Sequence, residues 1–160
     1  MVGKEGYKIP KEILGLAGEY AVASEICRRG FFAQIAYGRW KNVDVLAVNP
    51  DNGKTVLVEV KTKQDREWPA VKGIKGSNRL LILVDFENKN ESERADFYIL
   101  DENDWQEYLK KYILNSKNFD RLENGYIPVW QDGYKGTSVR PEQVMEHKER
   151  WDKLIKILTS

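Results

Sequence analysis

Two extended segments, Asn42–Val48 and Thr55–Lys63, separated by Asn49-Pro50-Asp51-Asn52-Gly53, constrain this chain more than any other feature. Both are rich in β-branched and apolar residues, and the residues between them are turn formers, so the pair reads as an antiparallel hairpin. Strand side chains alternate between faces, and a slip of one residue would move every one to the other side. If the turn centres on Asp51-Asn52, facing residues have numbers that sum to 103, which sets Asp44 opposite Glu59, Leu46 opposite Leu57 and Val48 opposite Thr55. If Asn52-Gly53 is a two-residue type I′ turn, the sum is 105, Asp44 faces Lys61, and Glu59 is one diagonal away. Both registers place Asp44, Glu59 and Lys61 on one face; only an odd-length loop would separate them.

The hairpin sits in an alternating order of elements. From Lys11 to Arg29 the positions Ile13, Leu16, Ala17, Tyr20, Ser24 and Cys27 recur at helical spacing, with Pro10 ahead and Gly30 where a C-terminal cap belongs. Phe31–Tyr37 reads as a strand before the hairpin. Asp65–Asn78 carries Pro69, Gly73 and Gly76 and reads as a loop with at most a short helix. Arg79–Phe86 and Ala95–Leu100 read as two more strands around a polar turn. Asp101 can cap a helix from about Asp104 to Leu114, with Trp105, Tyr108, Leu109 and Tyr112 on one face. Together with Tyr98, these aromatic residues are expected to build the second half of the core. Phe119–Thr137 reads as irregular, and a last helix opening at Ser138 or Pro141 carries Val144, Trp151, Leu154, Ile155 and Leu158 as its buried stripe. The expected fold class is therefore α/β (α+β), with a central mixed sheet of four to five strands flanked by helices, in the order α-β-β-β-(loop)-β-β-α-α. A length of 160 residues suits one domain, with a core over about 11–115 and an appended segment over 116–160.

Chemistry enters where the hairpin juxtaposes acids. Like charges opposite each other on a sheet repel, so Asp44 beside Glu59 points to a cation held between them. Hard divalent ions prefer oxygen: the two carboxylates, with the Val60 carbonyl between Glu59 and Lys61, would bind Mg²⁺ and leave positions for water and a phosphate oxygen, with Mn²⁺ as a substitute. Lys61 can orient or help deprotonate the attacking water and offset phosphate charge. The implied reaction is phosphodiester hydrolysis. Glu-x-Lys alone is a weak signal, since Glu87-Asn88-Lys89 and Glu146-His147-Lys148 repeat it. Only Glu59-Val60-Lys61 ends an apolar strand that follows an Asp-bearing strand.

Asp44 followed by Glu59-Val60-Lys61 after a hairpin, behind a helix bearing Glu19, resembles the PD-(D/E)-x-K nuclease superfamily, the restriction-endonuclease-like and Holliday-junction-resolvase-like proteins. The similarity covers about Leu14 to Lys63. Val43 stands where the family name has proline. The resemblance implies a restriction-endonuclease-like core, metal binding by Asp44 and Glu59, water activation by Lys61, and a helix carboxylate, Glu19, completing the catalytic set. It implies a magnesium-dependent endonuclease acting on nucleic acid, with DNA the expected substrate. The alternatives are a catalytically inactive module of the same fold that binds nucleic acid or a protein partner, and a hydrolase of other phosphate esters. No nucleotide-binding glycine loop supports the last.

Basic and aromatic residues flank the hairpin. Arg39, Trp40 and Lys41 precede the Asp strand, and Lys63, Gln64, Arg66, Trp68, Lys72, Lys75 and Arg79 follow Glu59. Of these, Arg39, Lys41, Lys63, Gln64, Trp68, Lys72 and Lys75 are the expected nucleic-acid contacts, phosphates to the cations and a base on Trp68. The formal net charge is +1, so a polyanion must be gripped locally. His147 is the only histidine and Cys27 the only cysteine, which leaves triad, zinc and disulfide chemistry without support; His147 reads as a core-edge or surface residue and Cys27 as a small packing residue at the helix end. Glu25, four residues before Arg29, reads as half of a surface ion pair. With 41% hydrophobic and 32% charged residues, no long apolar run and no export signal, a soluble cytoplasmic protein without membrane contact is expected. Symmetric cutting of two strands would need a homodimer, with Phe119–Thr137 or the last helix as its interface.

Overall fold

The computed structural model describes residues 8–37 and 42–160. Helix α1 (Lys11–Arg28) leads into strands β1 (Phe32–Ile35), β2 (Val45–Val48), β3 (Thr55–Lys63) and β4 (Trp68–Val71). Next come β5 (Arg79–Asp85), β6 (Asp96–Leu100), α2 (Glu102–Tyr112), β7 (Phe119–Glu123), β8 (Ile127–Trp130) and β9 (Thr137–Val139), then two 3₁₀ turns and α3 (Asp152–Thr159). A five-stranded mixed sheet in the order β1-β2-β3-β5-β6 forms the centre. Among the described residues its only parallel pair is β3 with β5. The fold is α+β, with helices on both faces of the sheet. Among the described residues no helix is long and apolar enough to cross a membrane.

Alternation along the strands divides the interior into two cores. Val45, Ala47, Val56, Val58, Val60, Leu80, Ile82, Val84, Phe97 and Ile99 face α1 and α3. Leu81, Leu83, Tyr98 and Leu100 face α2, Trp68 of β4 and Val139 of β9. Trp105 and Tyr108 stack in this second core with ring centroids 5.1 Å apart, and Tyr112 packs beside them, as the helical spacing predicts. Asp101 caps α2 reciprocally: its Oδ1 accepts from Asp104 N–H at 2.8 Å while Asp104 Oδ2 accepts from Asp101 N–H at 2.9 Å.

Helix α1 buries a different stripe from the expected one. Leu14, Gly18, Val22, Glu25 and Ile26 face inward, while Ile13, Leu16, Tyr20, Ser24 and Cys27 are exposed. The helix is apolar nearly all round, so periodicity allowed two stripes, and the true one is disguised by a glycine and a glutamate. Gly18 is required there, because a Cβ would lie 1.8 Å from Thr62 Oγ1 and 2.9 Å from Thr62 Cβ. Glu25 is buried rather than at the surface. It accepts from Arg29 and from Arg94, which also bonds Glu149, so the ion pairs tie α1 to the start of β6 and the C-terminal segment. The helix ends at Gly30 (φ 91°), whose N–H reaches Cys27 C=O at 3.0 Å while Phe31 N–H reaches Ile26 C=O at 3.4 Å, a Schellman turn.

Three further expectations are corrected. The 65–78 segment contains β4, which pairs with β9 across a large sequence separation. Phe119–Thr137 holds the β7–β8 hairpin rather than irregular chain. The last helix begins only at Asp152, and its expected stripe is split: Val144 joins the second core, Trp151, Leu154 and Leu158 join the first, and Ile155 is exposed. The apolar residues offered as a dimer interface are thus largely used within the chain.

Candidate active site

The register of β2 and β3 pairs Val45 with Val58 and Leu46 with Leu57, the first of the two registers considered. A loop closed by Asn49 N–H to Lys54 C=O at 2.9 Å and Gly53 N–H to Asn49 C=O at 2.9 Å sets it, and the type I′ alternative is overturned. Asp44, one residue outside β2, therefore stands beside Glu59. Its N–H donates to Val58 C=O at 2.8 Å, and its Oδ2 accepts Val60 N–H at 2.8 Å. Its carboxylate thus continues the ladder where the β2 backbone stops. A strand residue's N–H and C=O project to the same side, so the Val60 carbonyl also faces the Asp44 end of β2. Glu59 and Lys61 lie on the face opposite Val58 and Val60, with Leu81 and Leu83 as their β5 partners.

Glu59 is only 6% exposed, and its Oε2 is buried with no hydrogen-bond partner. Burial raises its pKa to about 7; the nearby Asp44 charge adds to the rise, while Lys61, Arg79 and Lys72 oppose it. Burial also raises Asp44, against the Val60 hydrogen bond and the Lys61 charge. Glu19, half-buried on α1, is raised by burial and then by Asp44, which places it within electrostatic reach of the pair. A buried, unpartnered carboxylate oxygen beside a second carboxylate is a donor set that suits a hard divalent ion. Among the described residues no three His, Cys, Asp or Glu side chains are grouped closely enough to hold one ion.

The expected nucleic-acid residues divide. Arg39 and Lys41, with Trp40, lie outside the described residues. Trp68 is fully buried and donates from Nε1 to Val84 C=O at 2.9 Å, so no face is available for a base. Lys63 is buried too, its Nζ 2.8 Å from Asp85 Oδ1 and 5.0 Å from the Trp68 ring centre. Gln64 spends both ends of its amide on the Ile9 backbone, at 3.0 and 2.8 Å. Strand alternation puts Lys63 on the Glu59 face, but at the covered end of β3. Lys72 and Lys75 are exposed.

The sequence reading left one group out of the site and named another only as part of the flanking basic set. Arg79, at the start of β5, and Tyr126, from the β7–β8 turn, line a cavity of about 240 Å³ with Asn42, Glu59, Gly73 and Lys75. Arg79 was visible as one more basic residue after Glu59. Tyr126 carried no local signal, because only the tertiary fold brings its hairpin to the site. A larger cavity of about 800 Å³ lies near Asp104, His147 and Lys153, but its central charges satisfy one another: Lys153 Nζ is 2.7 Å from Asp104 Oδ2 and 3.0 Å from His147 Nδ1. No protein-family model matches this chain, and no curated protein matches it.

Proposed function

We propose that this chain is a metal-dependent phosphodiesterase that cuts nucleic acid, DNA foremost, on a restriction-endonuclease-like core. The observation that carries the reading is the buried Glu59 with its unpartnered oxygen, set beside Asp44 and one alternation from Lys61. Asp44 and Glu59 would hold Mg²⁺ or Mn²⁺, with the Val60 carbonyl facing the same side. When bound, such an ion supplies charge to polarise a phosphate and lowers the pKa of its water. Lys61 is half-exposed, and its charge acts on both carboxylates, so it can orient the attacking water and offset phosphate charge as the transition state forms. Lys72 adds positive potential at the mouth.

A catalytically silent module of the same fold is the second reading, favoured by the lack of a third ligating side chain among the described residues. A cleavage assay on single-stranded, duplex and branched DNA and on RNA, with Mg²⁺, Mn²⁺ or chelator, separates the two. We expect metal-dependent cleavage that Asp44→Ala abolishes and that Lys61→Ala slows on the order of ~10²-fold with substrate affinity retained. Equal rates for wild type and Lys61→Ala at saturating substrate and metal would remove that lysine from the chemistry. Cleavage by neither, with DNA binding intact, would establish the silent module.

A further inference from the structure

The cavity beside Glu59 is small and half open to solvent. At about 240 Å³ it holds roughly eight waters' worth of liquid volume, the scale of one sugar-phosphate unit and too small for a base pair. Its charged lining is one-sided above Glu59: Arg79 and Lys75 contribute cations, and among the described residues the only hydrogen bond of the Arg79 guanidinium is a long one, 3.5 Å to the Asn42 carbonyl. Its wall is fixed. The 124–126 turn is held from below by Lys75 Nζ to Asn124 C=O at 3.3 Å, Gln106 Nε2 to Gly125 C=O at 3.0 Å and Trp105 Nε1 to Tyr126 C=O at 2.8 Å. Those bonds set Tyr126, half-buried against the second core, on the cavity lining. Gly73 (φ 88°), also on the lining, is required where the Trp105 ring packs against it, because a Cβ there would lie 2.0 Å from that ring.

We infer that this cavity is a subsite for a single unpaired nucleotide next to the cleaved bond, with Arg79 and Lys75 on its phosphate and Tyr126 against its sugar or base. The inference rests on the nucleic-acid reading above and narrows its substrate class to single strands, ends and branch points, where a nucleotide enters without unpairing a duplex. An aromatic wall recognises any base by its π face, so the subsite selects strandedness and not sequence.

The test separates the subsite from the catalysis by working without metal. Thymidine 5′-phosphate and inorganic phosphate are titrated calorimetrically into wild type, Arg79→Gln, Tyr126→Ala, Tyr126→Leu and Tyr126→Phe in chelator, each variant first checked by its melting transition. We expect thymidine 5′-phosphate to bind more tightly than phosphate, Arg79→Gln to weaken both, and Tyr126→Ala to weaken only the nucleotide, by about 5- to 150-fold as for loss of one base–aromatic stack. Tyr126→Phe should bind as wild type, and Tyr126→Leu, which keeps apolar bulk against the second core but has no aromatic face, should weaken only the nucleotide, which covers the case of Tyr126→Ala failing to fold. Equal affinity for the two ligands, or nucleotide binding unchanged in Tyr126→Ala, overturns the subsite. Cleavage of blunt duplex as fast as the same strand alone, with no nucleotide binding, overturns the subsite and leaves the nuclease standing; nucleotide binding with no cleavage in any metal does the reverse.

Discussion

Keeping a proton on Glu59 is the least costly way to hold its carboxyl group where water does not reach. Its pKa rises from 4.5 to about 7, with burial the chief cause. Between those values the folded state holds a proton that the unfolded chain has released, so stability is fully present below the unfolded value and is lost as pH rises through the folded one. A shift of this size corresponds to at most about 3 kcal/mol. The upward shifts of Asp44 and Glu19 have the same sign. In chelator, the melting temperature of wild type is therefore expected to fall as pH rises from about 4.5 to 7, and that of Glu59→Gln to fall much less. A divalent ion requires the deprotonated carboxylate, so the gain in melting temperature on adding Mg²⁺ should grow over the same window. A Glu59→Gln melting profile with the wild-type slope would show that the burden lies elsewhere.

What places these residues is the contact of α1 with β3, and its tightest point is Gly18 against Thr62. A methyl there forces the helix and strand apart, because the Thr62 Cβ cannot rotate out of the way as Oγ1 can. Gly18→Ala should destabilise by about 1–3 kcal/mol, the usual penalty of overpacking, and should reduce metal-dependent stabilisation by moving Glu19 relative to Asp44. Thr62→Ala alone removes a buried hydroxyl that has no partner and should be close to neutral, and combined with Gly18→Ala it should recover part of the loss. Purely additive effects in the double variant would mean that the two residues do not meet. This contact also shows what the sequence could reveal. The β2–β3 hairpin was legible because turn chemistry and two-residue alternation act locally, and with it came Asp44, Glu59 and Lys61 on one face. The α1 stripe was not, since an all-round apolar helix has no preferred face until a sheet selects one, and a buried glycine carries no apolar signal. Strand β4 was missed because its partner β9 lies far along the chain and Pro69 and Gly73 read as breakers. Lys63 and Trp68 were read as nucleic-acid contacts because basic and aromatic residues interleave there, whereas Asp85 and the Val84 carbonyl make their burial favourable.

At the scale of the molecule, one sheet is shared by two cores, and the C-terminal segment belongs to both. Val144 and Val139 enter the core on the α2 side, while Trp151, Leu154 and Leu158 enter the one on the α1 side. Polar contacts reinforce the join. Asn49 and Asn52 of the β2–β3 turn donate to Leu158 C=O at 2.8 and 2.9 Å, and Lys153 Nζ donates to Ile99 C=O at 2.9 Å. The hairpin that carries the acidic pair is thus capped at its turn end by α3. A division into an independent core over 11–115 and an appended tail would predict that the tail melts first and leaves the site intact. The packing predicts one transition instead. Leu154 is fully buried, so Leu154→Ala should cost about 2–5 kcal/mol, a large part of the 5–15 kcal/mol that holds a domain of this kind together. That loss should appear as the same downward shift in tryptophan fluorescence, in far-ultraviolet circular dichroism and in the temperature at which Mg²⁺ binding is lost. If α3 melted at low temperature while metal binding persisted to the wild-type midpoint, the two cores would be separate cooperative units and the hairpin would keep its register without α3.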